Sequence, residues 1–278
     1  MIAGTLMLTS QDAVSKYLTT DYHFGEIFFY RGIWAYVPLA FFVWRAGGLA
    51  VLRSREPGVN MIRALLNTAA GVLIISALAL LPIADVFAIV FLSPLIVTAL
   101  SPWMLGEAVG WRRWSAVLVG FAGVLVMTRP GGAGIGWLVL LPLGVAVVMA
   151  LRDILTRRLG AHDSTVTILM YTVTVSVGFG GLTMLWTGTT MPPLEHWAIF
   201  IVAGLINGTA HFLTIRAFQL VAAAVVSPFK YLSIVWAAVL GFVIWGDVPD
   251  AYLICGAVLV VGSGLYTLHR ETRRKKLA

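Results

Sequence analysis

The sequence predicts an all-α integral membrane protein with ten transmembrane helices arranged as two inverted five-helix repeats. Three observations carry this expectation. The 278 residues are 60% hydrophobic and only 11% charged. Ten apolar runs approach the length needed to cross a bilayer. Polar residues in the two halves coincide in register over about 90 positions.

Soluble domains carry about 25% charged residues, and a mean hydropathy of +0.94 leaves no polar coat for a globule of this size. A soluble enzyme, a nucleic-acid-binding domain and a disordered chain are therefore excluded as readings of the whole chain. The formal charge of +7 sits in short clusters between apolar runs, the pattern of membrane loops rather than of a polyanion-binding face. A single cysteine, Cys255, rules out an intramolecular disulfide and any cysteine-based metal site. Met1 opens directly into apolar sequence with no secretory signal, and the first run is short for a span, so a few further residues are expected upstream.

A helix needs about 20 residues to cross about 30 Å of hydrocarbon. The runs lie at 1–18, 25–44, 61–81, 83–104, 112–128, 136–158, 165–186, 196–219, 222–245 and 251–268. None shows the period-two alternation of a membrane barrel. Turn-forming separators stand between them, among them 53–58, Pro82, 129–132, 187–193 and 247–249. Placing both termini in the cytoplasm puts Arg45, Arg53, Arg55, Arg63, Arg112, Arg113, Arg152, Arg157, Arg158 and the 270–276 tail on the inner side. The outer side then keeps Arg129, Lys16 at a helix end, and acids such as Asp21, Glu195, Asp247 and Asp250. That asymmetry predicts a bacterial inner-membrane protein with cytoplasmic ends and a tail anchored beside anionic lipid.

At an offset of 140 residues Asn67 matches Asn207, Ser93 matches Ser233, and Gly106-Glu107 matches Gly246-Asp247. At 141, Asp12 matches Asp153, Lys16 matches Arg157 and Tyr30 matches Tyr171. The chain accordingly divides into residues 1–130 and 131–278, five helices each, the second carrying the basic tail. An odd number of spans per repeat inverts the second copy, and inverted repeats around a midplane site are typical of secondary transporters.

Several motifs carry a family resemblance. Gly106-Glu-Ala-Val-Gly-Trp-Arg-Arg-Trp114, running into Val119-Gly-Phe-Ala-Gly-Val-Leu125, resembles the EamA branch of the drug/metabolite transporter superfamily along essentially the whole chain. Within that branch, Gln11-Asp-Ala-Val-Ser-Lys-Tyr-Leu18, Glu26-Ile-Phe-Phe-Tyr-Arg31, Leu151-Arg-Asp-Ile154 and Ser227-Pro-Phe-Lys-Tyr-Leu232 are similar to bacterial S-adenosylmethionine uptake transporters, with Lys230 where arginine is expected. The resemblance implies a metabolite carrier. Riboflavin and amino-acid carriers of the branch share much of the pattern.

Ionisable groups inside a span cost several kcal/mol unless they are paired or face a watery cavity. Asp12, Lys16, Glu26 and Arg31 lie toward the outer half, with Lys16 expected to meet Glu26 and Asp12 to meet Arg31. Asp153, His211, Arg216 and Lys230 lie toward the inner half. Two structural ion pairs, or two charge clusters gating a central cavity, are both compatible with this placement. Arg216 also fits a snorkelling interface residue. Asn67 and Asn207 fit interhelical hydrogen bonds or substrate contacts. Tyr30, Trp34, Phe91, Tyr171 and Tyr231 add aromatic faces suited to a purine or a sulfonium. Gly120-x-x-Gly123, Gly178-x-Gly180 and Gly262-x-Gly264 permit close helix approach, and Pro94, Pro142 and Pro228 permit kinks. Gly131-Gly-Ala-Gly134 lacks the Lys-Ser/Thr of a phosphate loop. No catalytic triad, metal-ligand spacing or cofactor motif is found. The expected partners are a small metabolite and the lipid bilayer, with no nucleic acid, the protein acting as a monomer or a homodimer.

Overall fold

The computed structural model describes residues 2–104, 111–128, 136–159, 162–220, 232–248 and 250–277, and among them every regular element is helical. In order they are α1 (Ile2–Leu18), α2 (Phe24–Arg45), α3 (Pro57–Leu80), α4 (Ile83–Val90), α5 (Ser93–Met104), α6 (Trp111–Thr128), α7 (Leu140–Leu159), α8 (Thr165–Thr187), α9 (Leu194–Leu220), α10 (Leu232–Trp245) and α11 (Ala251–Leu277). Single 3₁₀ turns at Leu49–Leu52 and Gly136–Val139 lead into α3 and α7. Among the described residues five helices are by themselves long and apolar enough to cross a membrane: α2, α3, α7 with its leading turn, α8, and α9 over Leu194–Ala217.

Two expectations change on this scaffold. The run at 83–104 is not one helix but two, broken at Phe91 and Leu92. Pro94, in the first turn of α5, has no N–H to continue the hydrogen-bond ladder of α4. The basic tail continues α11 instead of leaving it at residue 268. The division near residue 130 and the first part of the 222–245 run, including Pro228, lie outside the described residues.

Packing is set by where backbones can touch. Helix α2 crosses α8 and α9, α3 crosses α7 and α8, α1 crosses α9 and α10, and α6 packs on α11. At the α2–α8 crossing a Cβ on Gly180 would lie 2.6 Å from the Gly25 carbonyl oxygen and 2.7 Å from the Phe29 nitrogen. At the α2–α9 crossing, Gly204 and Gly208 form a Gly-x-x-x-Gly stripe that lies on the backbone of Arg31 and Ala35. Gly178, by contrast, faces open space, so its expected close approach is absent. Side chains such as Phe42 and Phe212, stacked with centroids 3.7 Å apart, fill the gaps beside these crossings.

Candidate functional site

These crossings leave a cavity of about 190 Å³ between α1, α2, α3, α7, α8 and α9, with the α4–α5 break in its wall. Five charged side chains among the described residues line it: Asp12 on α1, Arg31 on α2, Arg63 on α3, and Arg152 and Asp153 on α7. Their placement follows from helix geometry, since each projects from its helix toward the space between the packed helices. Arg31 and Arg63 are 7% and 3% exposed, so each must be satisfied inside the protein.

Two hydrogen-bonded groups do this. In the first, Gln11 Nε2 donates to Asp12 Oδ1 and to Ser15 Oγ, both at 3.1 Å. Arg31 Nη1 donates to Ser15 Oγ at 2.8 Å. Asn207 Nδ2 donates to Gln11 Oε1 at 3.1 Å. Asp12 and Arg31 attract across a longer gap than the expected direct pair, because Ser15 takes the guanidinium. In the second group Arg152 holds Asp153 Oδ1 from Nε at 3.1 Å and Nη2 at 2.8 Å, and donates from Nη1 to Asn67 Oδ1 at 3.2 Å. Arg63 donates from Nε to Thr156 Oγ1 at 3.1 Å and from Nη1 to Thr172 Oγ1.

The groups share a register in the sequence. Gln11-Asp12 and Arg152-Asp153 stand 141 residues apart, and each is bonded by one of the matched asparagines. What breaks the correspondence is charge, because Gln11 is neutral and Arg152 is not.

Of the residues expected to form a site, Asp12, Arg31, Asn67, Phe91, Asp153, Asn207 and His211 line this cavity. His211 faces the combined field of Arg31, Arg63 and Arg152. The others lie elsewhere. Lys16 does not meet Glu26: its Nζ donates to the Leu81 carbonyl at 3.0 Å, lies 3.9 Å from Asp247, and sits 4.9 Å over the Trp245 ring. Glu26 accepts from the backbone nitrogens of His23, at 2.9 Å, and Thr190, so it caps α2 instead of binding a cation. Tyr30 packs against Trp197 and Phe200 and donates to the Thr190 carbonyl. Trp34 is half-buried against Gly204 on α9, Tyr171 is half-buried off the cavity wall, and Arg216 is exposed. Lys230 and Tyr231 lie outside the described residues. Among the described residues the aromatic wall is Phe28, Phe87 and Phe91, without Tyr30 or Tyr171.

Sequence reasoning missed Gln11, Arg63 and Arg152 as cavity residues. In the sequence the two arginines stand where loop-flanking positive charges are expected, and Gln11 carries no charge to attract notice. The repeat register held the signal, since it places Arg152 on Gln11.

Two polar clusters close opposite ends of the molecule. At the end where α2 begins, Glu26 and Tyr30 bind Thr190, and the Tyr22 hydroxyl lies 2.7 Å from His196 Nδ1. Burial, reinforced by Asp21 and Glu26, pushes the Tyr22 phenol above its ordinary pKa, so Tyr22 stays neutral. At the end where α2 finishes, the buried Asp163 carboxylate accepts from Ser54 Oγ at 2.6 Å, from the Arg55 nitrogen at 2.8 Å, and from Asn60 Nδ2. Thr167 adds a bond to the Val51 carbonyl, and Glu56 pairs with Arg158 at 3.4 Å. Helices α2 and α8 each run from one cluster to the other.

Comparison with known proteins gives a consistent result. The model of the EamA-like transporter family matches residues 1–129 and again 136–268. A riboflavin transporter of Rhizobium johnstonii is 30% identical, over 82% of this chain and 76% of its own. An S-adenosylmethionine uptake transporter of Rickettsia bellii is 27% identical, over 95% and 90%. A pseudopaline exporter of Pseudomonas aeruginosa is 26% identical, over 94% and 91%. A solved crystal structure superposes with a TM-score of 0.69 over 100% of this chain and 98% of its own at 20% identity, which speaks to the fold alone.

Proposed function

The chain belongs to the EamA-like transporter family, and from that premise we propose that it is a secondary carrier moving a small zwitterionic metabolite by alternating access. The observation that carries this reading is the cavity itself. Carboxylates and guanidiniums from α1, α2, α3 and α7 converge on one space, at a cost that the surrounding hydrogen bonds meet in part and a polar occupant offsets further. An amino-acid head group needs an acid for its ammonium and a base for its carboxylate. Asp12, Asp153 and the arginines supply both, and the Phe28, Phe87 and Phe91 rings offer faces to an aromatic base or a sulfonium, each contact worth about 0.5–2 kcal/mol when desolvated. S-adenosylmethionine is the first candidate, in keeping with the uptake transporter of Rickettsia bellii. A riboflavin-like or amino-acid substrate is the second reading, favoured by the riboflavin transporter of Rhizobium johnstonii.

The mechanism rests on ten transmembrane helices forming two inverted repeats, residues 1–130 and 131–278, in a bacterial inner membrane with both termini cytoplasmic. Support comes from the two successive family matches. The packing also maps onto itself when the halves are exchanged: α1 on α9 becomes α7 on α3, and α2 on α9 becomes α8 on α3. Helix α1 ends at the Glu26 cluster whereas α7 ends at the Asp163 cluster, so these counterparts run in opposite directions. The two clusters then act as gates that open in turn, with Asp12, Arg31, Asn67, Asp153, Asn207 and His211 in contact with substrate between them. Energy comes from ion or substrate gradients.

The test is uptake of labelled metabolites by purified protein in proteoliposomes with imposed ion gradients and no ATP. Saturable flux of a zwitterion, S-adenosylmethionine first, is expected. Flux that appears only when ATP is supplied to the purified protein overturns the carrier mechanism.

A further inference from the structure

Among the described residues the charges around the cavity do not cancel, and the imbalance is local. Beside α1 and α2, Asp12 answers Arg31. Beside α3 and α7, Asp153 is held by Arg152 at 2.8 Å, which leaves Arg63 as a second cation facing one carboxylate. Arg63 has no carboxylate within ion-pair distance among the described residues. Its hydrogen bonds go to two hydroxyls, and Arg152 repels it. Both hydroxyls are fixed acceptors, because Thr156 gives its own proton to the Arg152 carbonyl at 2.8 Å and Thr172 gives its proton to the Ile168 carbonyl at 2.7 Å. They orient the guanidinium without neutralising it, and its Nη2 carries no further bond among the described residues.

A buried cation next to a like charge is costly unless an anion completes the site. With Nε and Nη1 each giving a hydrogen to a neutral hydroxyl, Nη2 remains to meet a carboxylate, a partner that guanidinium groups match well.

We propose that Arg63 is the residue that selects substrates by their carboxylate, docking that group at the α3–α7 end of the cavity while Asp12 faces the cationic end. This rests on the reading of the cavity as the substrate site and sharpens it, since a metabolite lacking a carboxylate leaves Arg63 unanswered. Thr156 and Thr172 are positioning residues that hold the guanidinium.

The experiment measures affinity for matched pairs differing only in the carboxylate, S-adenosylmethionine against its decarboxylated form and tryptophan against tryptamine, by calorimetry on the purified full chain. The wild type is expected to prefer the carboxylate member of a pair at least tenfold. Arg63→Gln should reduce that preference below threefold without weakening the amine, and Arg63→Lys should keep part of it. Thr172→Val, which removes an orienting hydroxyl and leaves the charge, should weaken only the carboxylate member, and it serves if Arg63→Gln does not fold. Equal affinity for both members of every pair, no binding of either included, overturns the proposal, as does an unchanged preference in Arg63→Gln. Flux in proteoliposomes is read separately. Carboxylate-selective binding without flux would keep the role of Arg63 and remove the carrier, and flux without selectivity would do the reverse.

Discussion

Replacing Asp163 by asparagine should loosen the end of the molecule where α2 and α7 finish. The carboxylate takes at least three hydrogen bonds: Ser54 and Asn60 reach Oδ2, and the Arg55 nitrogen reaches Oδ1. Together they join the α2–α3 connection to the α7–α8 connection. Asparagine keeps the shape but turns one acceptor oxygen into an amide nitrogen facing donors, so at least one bond is lost and the rest lose their charge assistance. Hydrogen bonds to charged groups contribute about 1.5–3 kcal/mol each, which puts the total loss at about 2–4 kcal/mol. At 1.4 kcal/mol per factor of ten, the balance between closed and open forms of that end moves roughly 30- to 700-fold. The assay places one cysteine in the cavity, Ser176→Cys, in a chain whose exposed Cys255 is replaced by serine. An impermeant thiol reagent applied from the Asp163 end should label it at least tenfold faster in Asp163→Asn, with no gain from the opposite end. Unchanged labelling, or equal gains from both ends, would refute the gate, the second result indicating general loosening.

Glycine substitutions test the crossings: Gly204→Leu and Gly180→Val should each cost about 1–3 kcal/mol and lower the melting temperature by several degrees, while Gly178→Ala, which meets nothing within 4 Å, should leave it almost unchanged. Because Lys16 and Glu26 are not partners, Lys16→Met and Glu26→Gln should add within about 0.5 kcal/mol in a double-mutant cycle measured by chemical denaturation, and a larger coupling would restore the pair expected from sequence. Cysteines at Thr189 and Asp250 should react with an impermeant reagent outside intact cells and one at Ser54 should not, and the reverse pattern would invert the topology.

Hydropathy located the long helices because length and apolar content alone decide whether a helix can cross, and α2, α3, α7, α8 and α9 satisfy both. The break between α4 and α5 was within reach, since Pro94 was already marked as a kink, but hydropathy averages across a break that keeps both sides apolar. Site residues divided by the same logic. Asp12, Arg31 and Asp153 were visible because charge inside a span demands a reason. Arg63 and Arg152 were hidden because arginine near a helix end has an ordinary explanation in lipid topology, and only depth within the fold distinguishes the two uses. Lys16 and Glu26 failed for a different reason. Backbone groups at helix ends, Leu81 oxygen and Thr190 nitrogen, compete for such side chains, and they leave no mark in the sequence. The repeat register was the most informative signal, since the offset that matches Asp12 with Asp153 also sets Gln11 against Arg152.

The most direct test asks whether the charged cavity is the transport path. Counterflow of labelled S-adenosylmethionine should be measured in proteoliposomes bearing the wild type, Asp12→Asn or Asp153→Asn, with equal protein orientation and ligand-free melting temperature confirmed for each. Saturable counterflow by the wild type, reduced at least tenfold in both variants, is the predicted result. Counterflow of wild-type rate in the two variants would contradict it and move the substrate route out of this cavity.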